Sequence, residues 1–341
     1  MENNIKIVRT DRELECPEVD AALLELGAEI VLLPDGVSED ELAAQVHDAD
    51  LLLMCYTPIT ARVIDGAEKL KAIVKYGVGI DAIDIDAAKA RRIPVVNIPE
   101  YAEETVAEGA FALMIALAKQ LVPIHNKMQR DGWAWPESRW LGGDIAGKTL
   151  GIIGTGRIGR SMARMAGAGF RARVLGYDPN VDAEAMRDAG IEKVENLHDM
   201  LRRCDFVSVH CVLNDDTYDL VAESEFECMK PTAFLINTCR GAVVNEQAML
   251  NALKSGGIAG AGLDVFCEEP VAQSGHELSE LYAMENVILM PHLTFYTRES
   301  MRRLEQETLE RCMEALQGKP LQVKSMDPRL LSQEHGVELV S

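Results

Sequence analysis

Three residues in the second half of this 341-residue chain have the types and settings that acid–base and anion chemistry require. His292 follows an apolar run that ends Met290-Pro291. Glu269 stands in Asp264-Val265-Phe266-Cys267-Glu268-Glu269-Pro270, and Arg240 in Asn237-Thr238-Cys239-Arg240-Gly241. A histidine exchanges a proton near neutrality. A carboxylate beside it favours the imidazolium and orients the ring. A guanidinium offers a planar fork to a carboxylate. Each of the three comes just after a predicted strand, and ligands of an open α/β sheet collect outside the carboxyl ends of its strands. The three are therefore expected to converge. His47, His125, His198, His276 and His335 have no such context.

A second constellation precedes them. Leu150, Ile152 and Ile153 form a short apolar run that enters Gly154-Thr155-Gly156-Arg157-Ile158-Gly159. Ile158, Met162, Met165 and Ala166 then recur at helical spacing, and a second apolar run, Val174 to Tyr177, ends at Asp178. Strand, glycine turn, helix, strand and acid, in that order, make a dinucleotide-binding fingerprint. Gly154 serves the tight turn, Gly156 lets backbone approach a pyrophosphate, and Gly159 lets the helix pack on the strand. The unpaired N–H groups of the first helical turn face the phosphates. Asp178 is placed to accept from the ribose hydroxyls, and its charge repels the 2′-phosphate of NADP. NAD is the expected cofactor.

The elements that must hold these residues alternate between strand and helix. Ile5 to Val8, Glu29 to Leu33, Leu51 to Cys55, Ala72 to Lys75 and Pro94 to Asn97 read as strands, with helices between them. Ser38, with Glu41 three residues on, reads as a helix cap, and Asp84 as another. Ala102 to Leu121 reads as one long helix, apolar most of the way round and so buried. Leu121 to Thr149 reads as a loop-rich arm carrying Trp133, Trp135 and Trp140, a candidate subunit interface. Beyond Asp178, strands are expected at Phe206 to His210, Ala233 to Asn237, Gly260 to Phe266 and Val287 to Met290, and a helix at Arg298 to Leu316. The stretch after Lys319 carries little pattern. The alternation predicts an α/β fold of two doubly wound parallel-sheet domains.

Composition narrows the function classes. Hydrophobic and charged residues make up 48% and 26% of the chain, as in an ordinary globular protein. The formal net charge of −21 argues against nucleic acid and anionic membranes as partners, because both would be repelled. The opening MENNIKIVRT is polar, which predicts no secretory leader, and the longest apolar stretch, near Ala110 to Ala118, is too short to span a bilayer. Eight cysteines without a C-x-x-C argue against a metal site or a disulfide framework and for a reducing cytoplasm.

With the glycine fingerprint, N-x-x-R-G, D-V-F-x-x-E-P and P-H in that order, the chain resembles the D-isomer-specific 2-hydroxyacid dehydrogenases along nearly its whole length. The resemblance implies a flavodoxin-like substrate domain made of residues 1–100 and 296–341, a Rossmann NAD-binding domain of residues 101–295, a cleft that closes on NAD and substrate, and a homodimer. It implies interconversion of a small 2-oxo acid and its D-2-hydroxy acid, with His292 as general acid/base, Glu269 as its partner and Arg240 on the substrate carboxylate and carbonyl. Carried over with it are Arg157 and Ile158 at the pyrophosphate, His210, Cys211, Val212 and Thr217 along the adenosine side, Thr238 and Cys239 on the nicotinamide side, and Asp264 on the carboxamide. For the substrate it implies the backbone N–H groups of Val78 and Gly79.

Tyr101 and Phe295-Tyr296-Thr297 resemble the D-lactate dehydrogenase branch, in which a tyrosine pair suits a small or apolar side chain. Lys75 stands where phosphoglycerate and related dehydrogenases often carry an arginine, which admits a second anionic group. Many relatives read V-A-E-H where this chain has Val106-Ala107-Glu108-Gly109, a helix-weakening substitution. Alternatives within the family are hydroxypyruvate or glyoxylate reductase and a phosphoglycerate-type dehydrogenase. From another class, the C-terminal-binding-protein corepressors share this fold and sense NAD(H). Formate dehydrogenase pairs its histidine with glutamine, which Glu269 contradicts.

Overall fold

The computed structural model describes residues 5–340. The chain divides into two compact units, Met1–Ala102 with Thr297–Ser341, and Glu103–Tyr296.

In the first unit the strands β1 (Lys6–Arg9), β2 (Glu29–Leu32), β3 (Leu51–Met54), β4 (Ala72–Lys75) and β5 (Val95–Asn97) form a parallel sheet in the order β2-β1-β3-β4-β5. β3 and β4 are buried at every position, because helices cover both faces of the sheet's centre and leave no place for a polar alternation. The expected caps are present. Ser38 accepts from the Glu41 N–H and Asp84 from the Ala87 N–H. The helix Arg298–Leu316 also belongs here. Its buried Glu305 accepts from the N–H groups of Glu18 and Val19, at 2.7 and 3.3 Å, and so caps the helix Pro17–Glu25.

In the second unit β6 (Thr149–Ile153), β7 (Arg173–Tyr177), β8 (Glu192–Lys193), β9 (Phe206–Val209), β10 (Phe234–Asn237), β11 (Gly260–Leu263) and β12 (Val287–Leu289) are parallel throughout. Their order is β12-β11-β10-β9-β6-β7-β8, the doubly wound order of a Rossmann sheet with one strand added. The helix Glu103–Ala118 packs Ala107, Ala110, Phe111 and Met114 into one core with Ile152, Val174 and Ile236.

Two expectations need correction, and one stretch of little pattern gains a structure. The long helix stops at Ala118, because Gln120 adopts a left-handed conformation (φ 55°). A separate helix, Leu121–Asp131, follows where a loop-rich arm was expected. β11 ends at Leu263, not Phe266, since Asp264 to Phe266 turn away to build the site. Between Lys319 and Val340 the chain is ordered. β13 (Leu321–Val323) pairs with β14 (Val337–Leu339), and the Gln333 amide closes the open edge of β5, accepting from the Val95 N–H and donating to the Val95 carbonyl.

Candidate active site on the second unit

The glycine turn follows β6. Gly154 has φ +89°, and a Cβ there would fall 2.6–2.8 Å from the backbone of His210 and Cys211. A Cβ on Gly159 would fall 2.3 Å from the Gly154 carbonyl oxygen. Gly156 is different, because a Cβ there would meet nothing within 4 Å. The space over the N-terminus of the helix Arg157–Arg164 is open, as phosphate oxygens need. Asp178 ends β7. Its Oδ2 accepts from the Thr155 N–H (2.9 Å) and hydroxyl (3.3 Å), and its Oδ1 from the Asn180 N–H (3.0 Å). Thr155, a position the fingerprint leaves unspecified, thus locks the acid to the turn. Thr238 Oγ1 is buried and has no hydrogen-bond partner among the described residues, as an atom awaiting a ligand would be. The open cradle, the fixed carboxylate and this orphaned hydroxyl fit a dinucleotide.

The catalytic candidates hang from the carboxyl ends of β10, β11 and β12. His292 Nδ1 lies 2.8 Å from Glu269 Oε2, while the Phe266 N–H donates to Glu269 Oε1 at 2.9 Å. The carboxylate only accepts, so Nδ1 donates to it, which fixes the tautomer of the ring. His292 itself has φ 58°, and Asp264 holds the loop that imposes this. Its two oxygens accept from the N–H groups of Leu293 (2.8 Å) and Thr294 (3.0 Å) and from the Thr294 hydroxyl (2.5 Å). The Phe295 ring stands edge-on to the imidazole, 6.4 Å between centroids, and Tyr296, half exposed, stands edge-on to Phe295 at 5.9 Å.

Arg240 caps a 3₁₀ turn, Gly241–Val243, and its Nη1 donates to the Cys239 carbonyl at 2.7 Å. Asn237 Nδ2 donates to the Arg240 carbonyl at 2.9 Å, which explains the asparagine of N-x-x-R-G. A Cβ on Gly241 would sit 2.1 Å from the Phe266 carbonyl carbon. That glycine brings the Arg240 loop against the backbone that orients Glu269. Gly109 has a related reason: a Cβ there would fall 2.7 Å from Thr294 Cβ. The departure from V-A-E-H matches a close approach of the helix to the Asp264-held loop.

The remaining expected cofactor residues divide. Cys211 lies against Gly154. His210 accepts or donates at Ser208 Oγ (2.8 Å), and burial lowers its pKa to about 4. Val212 is exposed, and its carbonyl accepts from the Thr217 hydroxyl at 2.6 Å, so that hydroxyl closes its own loop. Arg157 Nε pairs with Glu103 at 3.3 Å. Ile158 is half-buried against the core beneath the turn. Of the substrate residues expected on the first unit, Val78 is partly exposed and its carbonyl accepts from Asn97 Nδ2 at 2.5 Å, holding the Gly77-Val78-Gly79 turn. Tyr101 is buried, and its carbonyl accepts from Arg303 Nε at 2.7 Å. Lys75 is buried, donates to the Cys55 carbonyl and lies under the Tyr56 ring. Phe266, Thr155, Thr294 and Phe295 were not foreseen as site residues. They act through backbone N–H groups, a short hydroxyl or packing, roles that the motifs containing Phe266 and Phe295 do not announce.

Residues 111–294 match the family described as D-isomer specific 2-hydroxyacid dehydrogenase, NAD binding domain. The glyoxylate reductase of Korarchaeum cryptofilum is 38% identical over 325 residues, 94% of each chain. The chain belongs to the D-isomer specific 2-hydroxyacid dehydrogenase family. It is an NAD-dependent oxidoreductase, and the glycine cradle and Asp178 of its second unit are the features that fit the cofactor. The D-3-phosphoglycerate dehydrogenase of Methanocaldococcus jannaschii is 36% identical over 83% of this chain and 53% of its own length. Among solved structures, D-lactate dehydrogenase from Aquifex aeolicus complexed with NAD and lactic acid superposes with a TM-score of 0.82, at 30% identity, covering 92% of this chain and 96% of that one. Among the described residues of this family member no single helix is long and apolar enough to cross a membrane, and no group of three or more histidine, cysteine or acidic side chains could hold a metal ion.

Proposed function

We propose that the chain interconverts a short 2-oxo acid, glyoxylate or hydroxypyruvate first among them, and the corresponding D-2-hydroxy acid. The observation that carries this reading is the His292–Glu269 pair at 2.8 Å, with the second carboxylate oxygen pinned by the Phe266 N–H. NAD, when bound, supplies or accepts the hydride. His292 Nε2 gives its proton to the substrate carbonyl oxygen as negative charge builds there, and takes it back in the oxidative direction. Glu269 fixes the tautomer and offsets the charge of the imidazolium. Arg240 presents its guanidinium to the substrate carboxylate.

Two observations favour a short substrate without a second anionic group. Relatives 38% identical over nearly the whole chain are named glyoxylate reductase. Lys75, the candidate partner for a second anion, is buried on the Cys55 carbonyl and covered by Tyr56, so its charge does not face solvent. Trp133 and Trp135 are exposed and pack edge to face at 6.0 Å, and Leu141 is exposed as well, which supports a homodimer built on this segment. The eight cysteines are all free thiols, which suits a cytoplasmic enzyme.

The test is NADH oxidation by the purified chain against glyoxylate, hydroxypyruvate, pyruvate, phenylpyruvate and 2-oxoglutarate. The expected result is turnover of a short acid that falls by roughly 10³-fold in His292→Asn while NADH affinity stays within about twofold. Tight NADH binding without turnover of any acid would overturn the reading in favour of an NAD(H)-sensing binding protein.

A further inference from the structure

Neither thiol of a pair beside the cofactor turn has a part in the reaction above. β9 and β10 are neighbours and parallel, paired from Phe206 with Phe234 to Val209 with Asn237. Each chain carries a cysteine two residues past that last pair: Cys211 after β9 and Cys239 after β10. Neighbouring strands run about 4.8 Å apart, so equal steps beyond a shared register bring two Cα atoms near the span of about 4.4–6.8 Å that a disulfide requires. Both side chains pack against the same apolar core. The two thiols interact directly, side chain to side chain. Both are half-buried, so a small oxidant can reach them, and neither is bridged.

The pair is also set apart chemically. Burial pushes the thiols of Cys16, Cys204, Cys267 and Cys312 up to about 12. Burial acts on Cys239 too, but the Cys211 thiol and Arg240 outweigh it and hold Cys239 below its ordinary value, while Cys211 is raised.

We propose that Cys211 and Cys239 are a peroxide-sensitive dithiol whose closure to a disulfide blocks the cofactor cradle. The Cys239 thiolate attacks hydrogen peroxide. An S–O bond forms, the O–O bond breaks, and hydroxide leaves and takes up a proton as water. The Cys211 sulfur then attacks the sulfenic sulfur of Cys239. The S–S bond forms, the S–O bond breaks, and a second water leaves with the Cys211 proton. The thiols lose two electrons and the peroxide gains two; a small dithiol reverses the change. The blockage follows from neighbours. The Cys211 backbone is so close to Gly154 that even a Cβ would not fit between them, and the carbonyl of Cys239 holds Arg240 Nη1. Drawing the sulfurs to bonding distance moves one or both segments. The effect on the cradle rests on the NAD assignment; the disulfide itself does not.

The experiment treats the full chain with hydrogen peroxide, digests it under non-reducing conditions after alkylation, and measures the 211–239 cross-linked peptide by mass. NADH binding is followed by fluorescence before and after dithiothreitol. The expected result is a cross-link at Cys211–Cys239, a tenfold or greater loss of NADH affinity, and recovery of both by dithiothreitol. Cys211→Ser is expected to show no cross-link and to leave a sulfenic acid on Cys239 that dimedone traps. Oxidation confined to Cys267, or a sulfenic acid on Cys239 without a cross-link in the unsubstituted chain, would overturn the proposal. A cross-link that leaves NADH affinity unchanged would overturn its blocking role. A reversible cross-link with lost NADH binding in a chain that reduces no 2-oxo acid would uphold it and count against the proposed reaction alone.

Discussion

The two units wind their sheets on the same plan, yet the crevices at their switch points are built in opposite ways. In the first unit the chain diverges after β1 and β3, and Asp11 fills the gap. Its buried carboxylate accepts from the N–H groups of Cys55 (2.7 Å), Tyr56 (3.0 Å) and Thr57 (3.0 Å) and from the Thr57 hydroxyl (2.8 Å). In the second unit it diverges after β6 and β9. There Gly154 lets the two segments touch, and Gly156 leaves open the volume over the helix N-terminus. One crevice is closed by the chain's own anion, and the other is kept clear for a ligand's. A doubly wound sheet therefore offers an anion site without guaranteeing one, and the residues at the turn decide whether it stays available.

The sharpest way to break the comparison is Asp11→Ala. It leaves three backbone N–H groups and the hydroxyls of Thr10 and Thr57 without their acceptor, and is expected to destabilise the first unit by on the order of 3–5 kcal/mol. Urea unfolding checks this, and the expected signature is an early transition that leaves NADH binding intact. Next is acid sensitivity, which belongs to the second crevice. His210 falls from 6.5 to about 4 on folding. Between those values the unfolded chain takes a proton that the native chain declines. Stability is complete above about 6.5 and declines as pH falls towards 4, by at most about 3 kcal/mol. Thermal unfolding over that range should be less steep in pH for His210→Gln. The smallest effect is expected at Asp178. Asp178→Ser removes the charge that opposes a 2′-phosphate and should narrow the NADH-over-NADPH preference by roughly tenfold, read from paired binding titrations.

The sequence made the second crevice easier to read than the first. The Gly154–Gly159 turn and Asp178 form a local pattern whose steric meaning is known in advance, and His292, Glu269 and Arg240 each follow a strand. What holds these groups was not legible. Thr155 reaches Asp178, the Phe266 N–H reaches Glu269, and Asp264 holds Leu293 and Thr294, all through contacts that only the packed sheet creates. Asp11 carries no signal in the sequence, because nothing near it in the chain hints at the three N–H groups it meets more than forty positions later. The helix Leu121–Asp131 was hidden by Pro123, which sits in its first turn, where a proline costs little. The ordered stretch after Lys319 has short strands and one glutamine side chain in place of a periodic apolar face.

The comparison turns on whether the second cradle is held open for a dinucleotide, and Gly156→Val tests that most directly. A Cβ there meets nothing in the protein within 4 Å, and the Gly156 backbone has φ −70°, outside the left-handed region that favours glycine. The account predicts an unchanged melting temperature together with a loss of NADH affinity of roughly 10²-fold, measured by fluorescence titration. Affinity within twofold of the unsubstituted chain would contradict it.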